Sequence, residues 1–475
     1  MRKRAEPVLD SEVDDAIESL RSLVRQAHRL VIFRAVLRDP VVAALLDFLG
    51  GIAGSRLHTA KVSRRVAASY ASFFSGLASQ SVPGTDAAVG TPWQNHLLNL
   101  MLRDENPFSR GAECHGLDRL GPSLVLQLEA DLDRLRELFA LRSEQVAAAF
   151  RMMGWDGAWP GWDRLRPDEV PCEPLSDQRL DMKRRLIRTP DWSPLVPELA
   201  AFYSRNGTGI FGEFQAFHWN PRSRGGALEG IASPDPITLE DLVGYEDQKQ
   251  WLVQNTGYFL AGHPANNVFV YGDRGTGKSS AIKALLNRFA GSSLRMVEVS
   301  RDDLNDLPRV MSLLRERPQH FIVFVDDLSF EEGETQYKTL KAVLEGSLES
   351  RPGNVVVYAT SNRRHLIREF FSDRNDLQGD EIRRQDTLQE KVSLADRFGI
   401  QLSFVAPDQK QYLAIVQAMA GRRGLTVKPG DLERRALQWA QRYNARSGRT
   451  ARQFMDCLCA ELDPGQVTSP AGSSG

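Results

Sequence analysis

The chain has 475 residues, 42% of them hydrophobic and 25% charged, with a formal net charge of −1. That length supplies apolar material for roughly two or three domains, and the near-neutral balance gives nucleic acid no overall electrostatic attraction while leaving a local basic surface open. Cys114, Cys172, Cys457 and Cys459 include no Cys-x-x-Cys pair, which argues against a disulfide framework or a zinc site and predicts buried, reduced thiols in a cytoplasmic protein.

The start, Met1-Arg2-Lys3-Arg4, is basic, but an acidic amphipathic stretch follows it, so no secretory leader is expected. Val41 to Ala53 is the most apolar stretch; Asp47 and Gly50-Gly51 interrupt it and it is too short for a bilayer, so no membrane insertion is expected. Val13, Ala16, Ile17, Leu20, Leu23, Val24, Ala27, Leu30 and Val31 keep the three-four spacing of one buried helical face, and Leu124 to Phe150 repeats it. Residues 1–235 therefore read as a mainly α-helical N-terminal region, structural or partner-binding. Its tryptophans, Trp93 and the group Trp155, Trp159 and Trp162, read as packing between helices, with a partner surface as the alternative. Asn220 to Pro236, rich in Gly, Arg, Ser and Pro, reads as a linker.

From Thr238 the texture changes. Val268–Tyr271, Leu294–Val299, Phe321–Val325, Val355–Ala359 and Ile400–Val405 are short apolar runs separated by helical patterns, which predicts a parallel sheet covered on both faces, with its ligand at the carboxyl ends of the strands. After Pro407, helical patterns return at Gln411–Ala420, Asp431–Tyr443 and Thr450–Leu462, and Gly465–Gly475 reads as a disordered tail.

Directly after the first run comes Gly272-Asp273-Arg274-Gly275-Thr276-Gly277-Lys278-Ser279, followed by Ser280. Glycines at these spacings let backbone N–H groups turn inward around phosphates, and the following helix aims its positive dipole end at them. Lys278 reaches the β- and γ-oxygens, and the Ser279 hydroxyl meets a metal ion. The expected ligand is a nucleoside triphosphate with Mg²⁺. Phe321–Val325 runs into Asp326 and Asp327: Asp326 is placed to hold the hydration shell of the metal, and Asp327 to polarise the attacking water.

With these stretches, Asp241-Leu242-Val243-Gly244-Tyr245, Asn266-Asn267, Leu328-Ser329-Phe330 after the acid pair, Ser393-Leu394-Ala395-Asp396-Arg397-Phe398-Gly399 and Ser447 to Phe454 complete a set that resembles the AAA+ ATPases. The wording resembles a bacterial family of predicted AAA+ ATP-binding proteins of uncharacterised role. The likeness spans about Thr238–Leu462. It implies an α/β fold with a P-loop AAA+ core over 236–406, a helical lid over 407–463 and a tail over 464–475. It implies that Leu242 to Tyr245, with Val243 and Gly244 as the binding residues, sits against adenine, and it implies a sensor 1 side chain at Asn362, with Thr360 and Ser361 as neighbouring choices. It implies an arginine finger at Arg397, for which an ion pair with Asp396 or Glu390 is the alternative, and sensor 2 at Arg452, with Arg449 as fallback. A finger implies self-association, as a ring or a nucleotide-dependent oligomer.

The sequence departs from many AAA+ enzymes in carrying Asp327 where they carry Glu, which points to slow or switch-like use of ATP. An oligomeric ATPase acting on an unknown protein partner is the first reading. A nucleotide-gated scaffold or loader with little hydrolysis is the second, with a DNA-associated version through the charged insertion Arg363–Lys391 as a third.

Overall fold

The computed structural model describes residues 6–54, 60–80, 89–152, 161–165, 177–223, 226–330, 336–345, 352–362, 394–425 and 427–462. The chain divides into two compact units, Met1–Glu213 and Phe214–Gly475.

The first unit is helical: α1 (Glu6–His28), α2 (Pro40–Ala53), α3 (Ala60–Gln80), α4 (Pro92–Arg103), α5 (Pro107–His115), α6 (Pro122–Ala140), α7 (Ser143–Met152), α8 (Asp177–Arg188), α9 (Val196–Asn206) and α10 (Gly209–Glu213). Side-chain caps joined to a following proline set several starts. Asp39 caps α2, Thr91 and Gln94 form a capping box before α4, and Asn106 and Ser109 do so before α5. The first apolar stripe is shorter than its spacing predicts, because α1 stops at His28; Leu30 is buried, whereas Val31 is 56% exposed. The second stripe is two helices, broken at Leu141 and Arg142. Trp93 and Trp162 are buried, both edge-on to Phe73, as interhelical packing requires; Trp155 and Trp159 lie outside the described residues.

One carboxylate organises the start of this unit. Asp131 is fully buried, and its Oδ2 accepts the backbone N–H groups of Val31 (2.9 Å), Ile32 (2.6 Å) and Phe33 (3.1 Å). Its Oδ1 accepts from Gln127 and Arg134. The charge is thus satisfied within the core, and the chain after α1 is held against α6.

The second unit is built on a seven-stranded sheet in the order β2-β1-β4-β5-β6-β3-β7. The strands are β1 (Ala216–Asn220), β2 (Ala227–Gly230), β3 (Val268–Gly272), β4 (Leu294–Glu298), β5 (His320–Val325), β6 (Val355–Ser361) and β7 (Ile400–Phe404). All neighbours are parallel except β1 and β2. Strands β3 to β7 fall on the five predicted apolar runs. Helices α11 (Glu246–Leu260), α12 (Lys278–Arg288), α13 (Leu307–Arg315) and α14 (Gln336–Glu345) connect or flank them. Beyond β7, α15 (Gln409–Arg422), α16 (Pro429–Arg442) and α17 (Gly448–Leu462) close over their own core of Tyr412, Val416, Ala436, Phe454 and Met455.

Two sequence readings need correction. The segment read as a linker, Asn220–Pro236, contains β2 and the end of β1. These strands extend the sheet past β4, so the second unit begins at Phe214. Phe217 and Trp219 turn into the core while His218 faces out, a short alternation obscured by the Gly- and Ser-rich turn after it. Among the described residues the thiols are also not buried: Cys114 is exposed, and Cys457 and Cys459 are half-buried on α17, while Cys172 lies outside the described residues. The insertion Arg363–Lys391 and the tail Gly465–Gly475 lie outside the described residues.

Replacing Asp131 by Ala removes the acceptor from three N–H groups at once, two of them buried. We expect thermal unfolding to show a loss of about 3 kcal/mol or more, whereas Arg134→Ala, which removes only one of the five donors, costs less than about 1.5 kcal/mol.

Candidate functional site

The carboxyl end of β3 runs into a loop held by backbone approach. Gly272 has φ +142°, and a Cβ there would lie 1.9 Å from the carbonyl oxygen of Phe404. No other residue lets β3 and β7 come this close, and Asp273 N donates to the same oxygen (3.1 Å). Farther along, a Cβ on Gly275 would press on Ser447 and Arg449, where Arg449 N donates to Gly275 O (3.3 Å). The loop is therefore seated against the first turn of α17. Lys278 opens α12 and is 6% exposed. Its Nζ donates to the carbonyls of Gly272 and Asp273 (2.8 Å each) and to Asn362 Oδ1 (3.0 Å). Burial pushes its pKa down, against the pull of Asp327, Asp273 and Asp326.

Beside the loop stands the acid pair. Asp326 Oδ1 accepts from Ser279 Oγ (2.6 Å), from Thr360 Oγ1 (2.5 Å) and from the backbone N–H of Asp327 (3.2 Å). Asp327 itself has left-handed backbone, φ +49°, which costs about 1–2 kcal/mol for a residue with a Cβ. Its N–H also reaches Thr360 Oγ1 (3.0 Å), and Asn362 Nδ2 donates to its Oδ1 (2.5 Å). Asn362 thus joins Lys278 to Asp327. Ser279 and Asp326 converge as a hydroxyl and a carboxylate, an oxygen-only set that suits a hard divalent cation keeping most of its waters.

These groups wall a cavity of about 550 Å³. Its polar side is formed by residues 274–280, Asp326, Asp327, Thr360 and Asn362, with Arg449 and Arg452 reaching in from α17. Its apolar side is Leu242, Val243 and Tyr245 from the core, facing Ile415 and Met419 of α15. Tyr245 is fixed by stacking on Phe404 (4.6 Å between centroids) and by donating its hydroxyl to Val405 O (2.6 Å). Arg422 of α15 ties this helix to the core by pairing with Asp241, whose carboxyl has a lowered pKa: burial raises it, but the bonds from Thr238 and the charges of Arg422 and Arg452 outweigh that.

Residues 212–462, more than half of the chain, match the family model DUF815, described as a protein of unknown function. The chain belongs to this family. The matched span includes β1 and β2, so the two strands the sequence concealed belong to the DUF815 module. No curated protein matches the sequence. Among solved structures, the RuvB Holliday junction branch migration motor of Thermotoga maritima is similar at 14% identity, covering 47% of this chain and 72% of that one, with a TM-score of 0.31. Domain III of the Thermotoga maritima replication initiation protein DnaA is similar at 17% identity, covering 50% of this chain and 94% of that one, with a TM-score of 0.33. The DUF815 unit carries the glycine-rich loop directly after β3, with β6 and β7 on either side of that strand, and a helical lid formed by α15 to α17.

Of the residues chosen from sequence, the cavity brings together Arg274, Gly275, Thr276, Gly277, Lys278, Ser279, Ser280, Val243, Asp326, Asp327, Asn362 and Arg452, and also the fallback Arg449. Gly272, Asp273 and Gly244 are not among its walls; Gly244 packs on Gln411 instead. Arg397 is also not among them, and its Nε donates to Glu345 Oε1 (2.5 Å) on α14, a partner different from the two the sequence offered. Ile415 and Met419 escaped the sequence reading because apolar lid positions carry no motif. Among the described residues no cluster of three or more His, Cys, Asp or Glu is placed to hold a metal, and no helix is long and apolar enough to cross a membrane.

Gly272→Ala forces both a positive φ and a collision with Phe404 O. We expect a loss of at least about 2 kcal/mol in denaturant unfolding of the full chain, together with faster hydrogen exchange in β7.

Proposed function

We propose that this DUF815 chain is a Mg²⁺-dependent, ATP-binding AAA+ ATPase that works as an oligomer. The observation that carries the reading is the single cavity in which Lys278, Ser279, both carboxylates, Asn362 and the two lid arginines surround one end, while an apolar slot lies at the other. A purine fits between Leu242 and Val243 on the core and Ile415 and Met419 on the lid. The loop N–H groups and Lys278 receive the phosphates, Lys278 exchanging carbonyl partners for phosphate oxygens. Ser279 and Asp326 hold Mg²⁺, which when bound neutralises charge on the β- and γ-oxygens. Asp327 orients the attacking water, and Asn362, already bonded to it, fixes its direction. Arg452, or Arg449, reports phosphate occupancy to the lid. Arg397, outside its own chain's cavity, is the residue we assign to the site of a neighbouring copy, exchanging Glu345 for a γ-phosphate. Lid movement then acts on a protein partner held by the N-terminal helical unit.

The alternative is a nucleotide-gated scaffold with little turnover. It is favoured by Asp327, a short carboxylate held by Asn362 in a left-handed turn.

The purified full chain is expected to release phosphate from ATP, and Lys278→Ala combined with Asp327→Asn to reduce release by about a hundredfold or more; equal rates would sink the hydrolytic assignment. Sedimentation with ATP, ADP or neither separates the alternatives, since assembly by ATP without turnover identifies the scaffold.

Arg397→Ala should lower turnover by about a hundredfold or more while leaving ATP affinity within about twofold. Mixing it with Lys278→Ala should restore part of the rate, because each copy supplies what the other lacks. A mixture no faster than its components removes the trans assignment.

A further inference from the structure

A second cavity, of about 590 Å³, also reaches the acid pair. Asp326 and Asp327 belong to both cavities, and the remaining walls include His218, Glu298, Ser300, Arg301 and Asp302. Strand register explains how these groups meet. His218 on β1 is directly opposite Glu298 on β4, and Glu298 is directly opposite Phe324 on β5. Residues in register on adjacent strands point to the same face of a sheet, and so do residues two apart along one strand. His218, Glu298, Phe324 and Asp326 therefore share a face. That face is the one covered by α12, since Lys283 places its ammonium over the Phe324 ring at 5.8 Å. Ser279 approaches Asp326 from the same helix.

Glu298 is thus one strand over and two residues short of Asp326, roughly 8 Å between Cα atoms by ordinary strand spacings. Its carboxylate is oriented by His218, whose Nδ1 lies 3.3 Å from Glu298 Oε2. The other charges at this cavity, Arg301 and Asp302, are engaged differently: Arg301 Nη1 donates to Ser329 Oγ, and Asp302 is largely exposed.

We propose that Glu298, held by His218, is a positioning residue of the nucleotide site, accepting hydrogen bonds from the water shell of the cation at Ser279 and Asp326. The inference rests on the reading of that site as a Mg-nucleotide site. Octahedral Mg²⁺ keeps several waters, and removing a group that orients outer ligands typically costs about 10- to 100-fold in metal affinity. The role also gives β1 a function that its place outside the five-stranded core does not otherwise supply.

The test is binding of a fluorescent ATP analogue by the full chain, titrated with Mg²⁺ or measured in EDTA. Glu298→Gln should raise the half-saturating Mg²⁺ concentration by about tenfold, with affinity in EDTA unchanged. His218→Ala should give a smaller rise, His218→Gln should recover part of it, and the control Asp302→Asn should leave it unchanged. An unshifted Mg²⁺ midpoint in Glu298→Gln overturns the proposal, as does an equal loss of affinity in EDTA, which marks a structural role only. A wild-type chain that binds the analogue without any Mg²⁺ dependence overturns it too. A wild-type chain that binds no nucleotide in either condition instead removes the parent reading.

Discussion

Asp326 Oδ1 accepts hydrogen bonds from Ser279, Thr360 and the Asp327 N–H, which belong to α12, to β6 and to the turn after β5. Those three ties set the spacing between the phosphate loop, the metal-type oxygens and the end of the neighbouring strand. A parallel sheet delivers strand ends to one edge but leaves their relative heights loose by a residue or so. The shared oxygen removes that freedom. The left-handed turn at Asp327 follows from it, because the Asp327 N–H is drawn back toward Asp326 and Thr360. The strain stored there is modest, and its effect is to present the Asp327 carboxylate to Asn362.

The resulting network is closed without a ligand. Lys278 is satisfied by two carbonyls and Asn362, and Asn362 by Lys278 and Asp327. On the proposed reading, Lys278 meets a triphosphate by substitution: its phosphate contacts displace existing hydrogen bonds, and their net gain is smaller than a count of new contacts implies. The buried ammonium favours the exchange, since burial works against its charge and an anion relieves it.

Much of this was readable from the chain. Strands β3 to β6 announce themselves as apolar runs because both their faces are covered, and the loop and acid pair are contiguous in sequence. Asn362 was legible as a polar strand end, but the parallel part played by Thr360, which touches both Asp326 and Asp327, needed the register of β5 and β6. Strands β1 and β2 were concealed because both are short and half-polar, and a Gly- and Ser-rich turn between them reads as linker. His218 and Glu298, 80 residues apart in the chain, have no local signal at all; only the β1–β4 pairing makes them neighbours. Arg397 was legible as a motif, whereas its pairing with Glu345 across 52 residues was not.

The apolar side of the cavity draws Leu242 and Val243 from the core and Ile415 and Met419 from the lid. Whatever fills that slot is wedged between two parts of one folding unit and adds its binding free energy to their union, about 2.7 kcal/mol at a hundredfold excess over its dissociation constant. On the proposed reading, the occupant of that slot is thus part of what holds core and lid together, and the stability of the unit depends on how much of it is present.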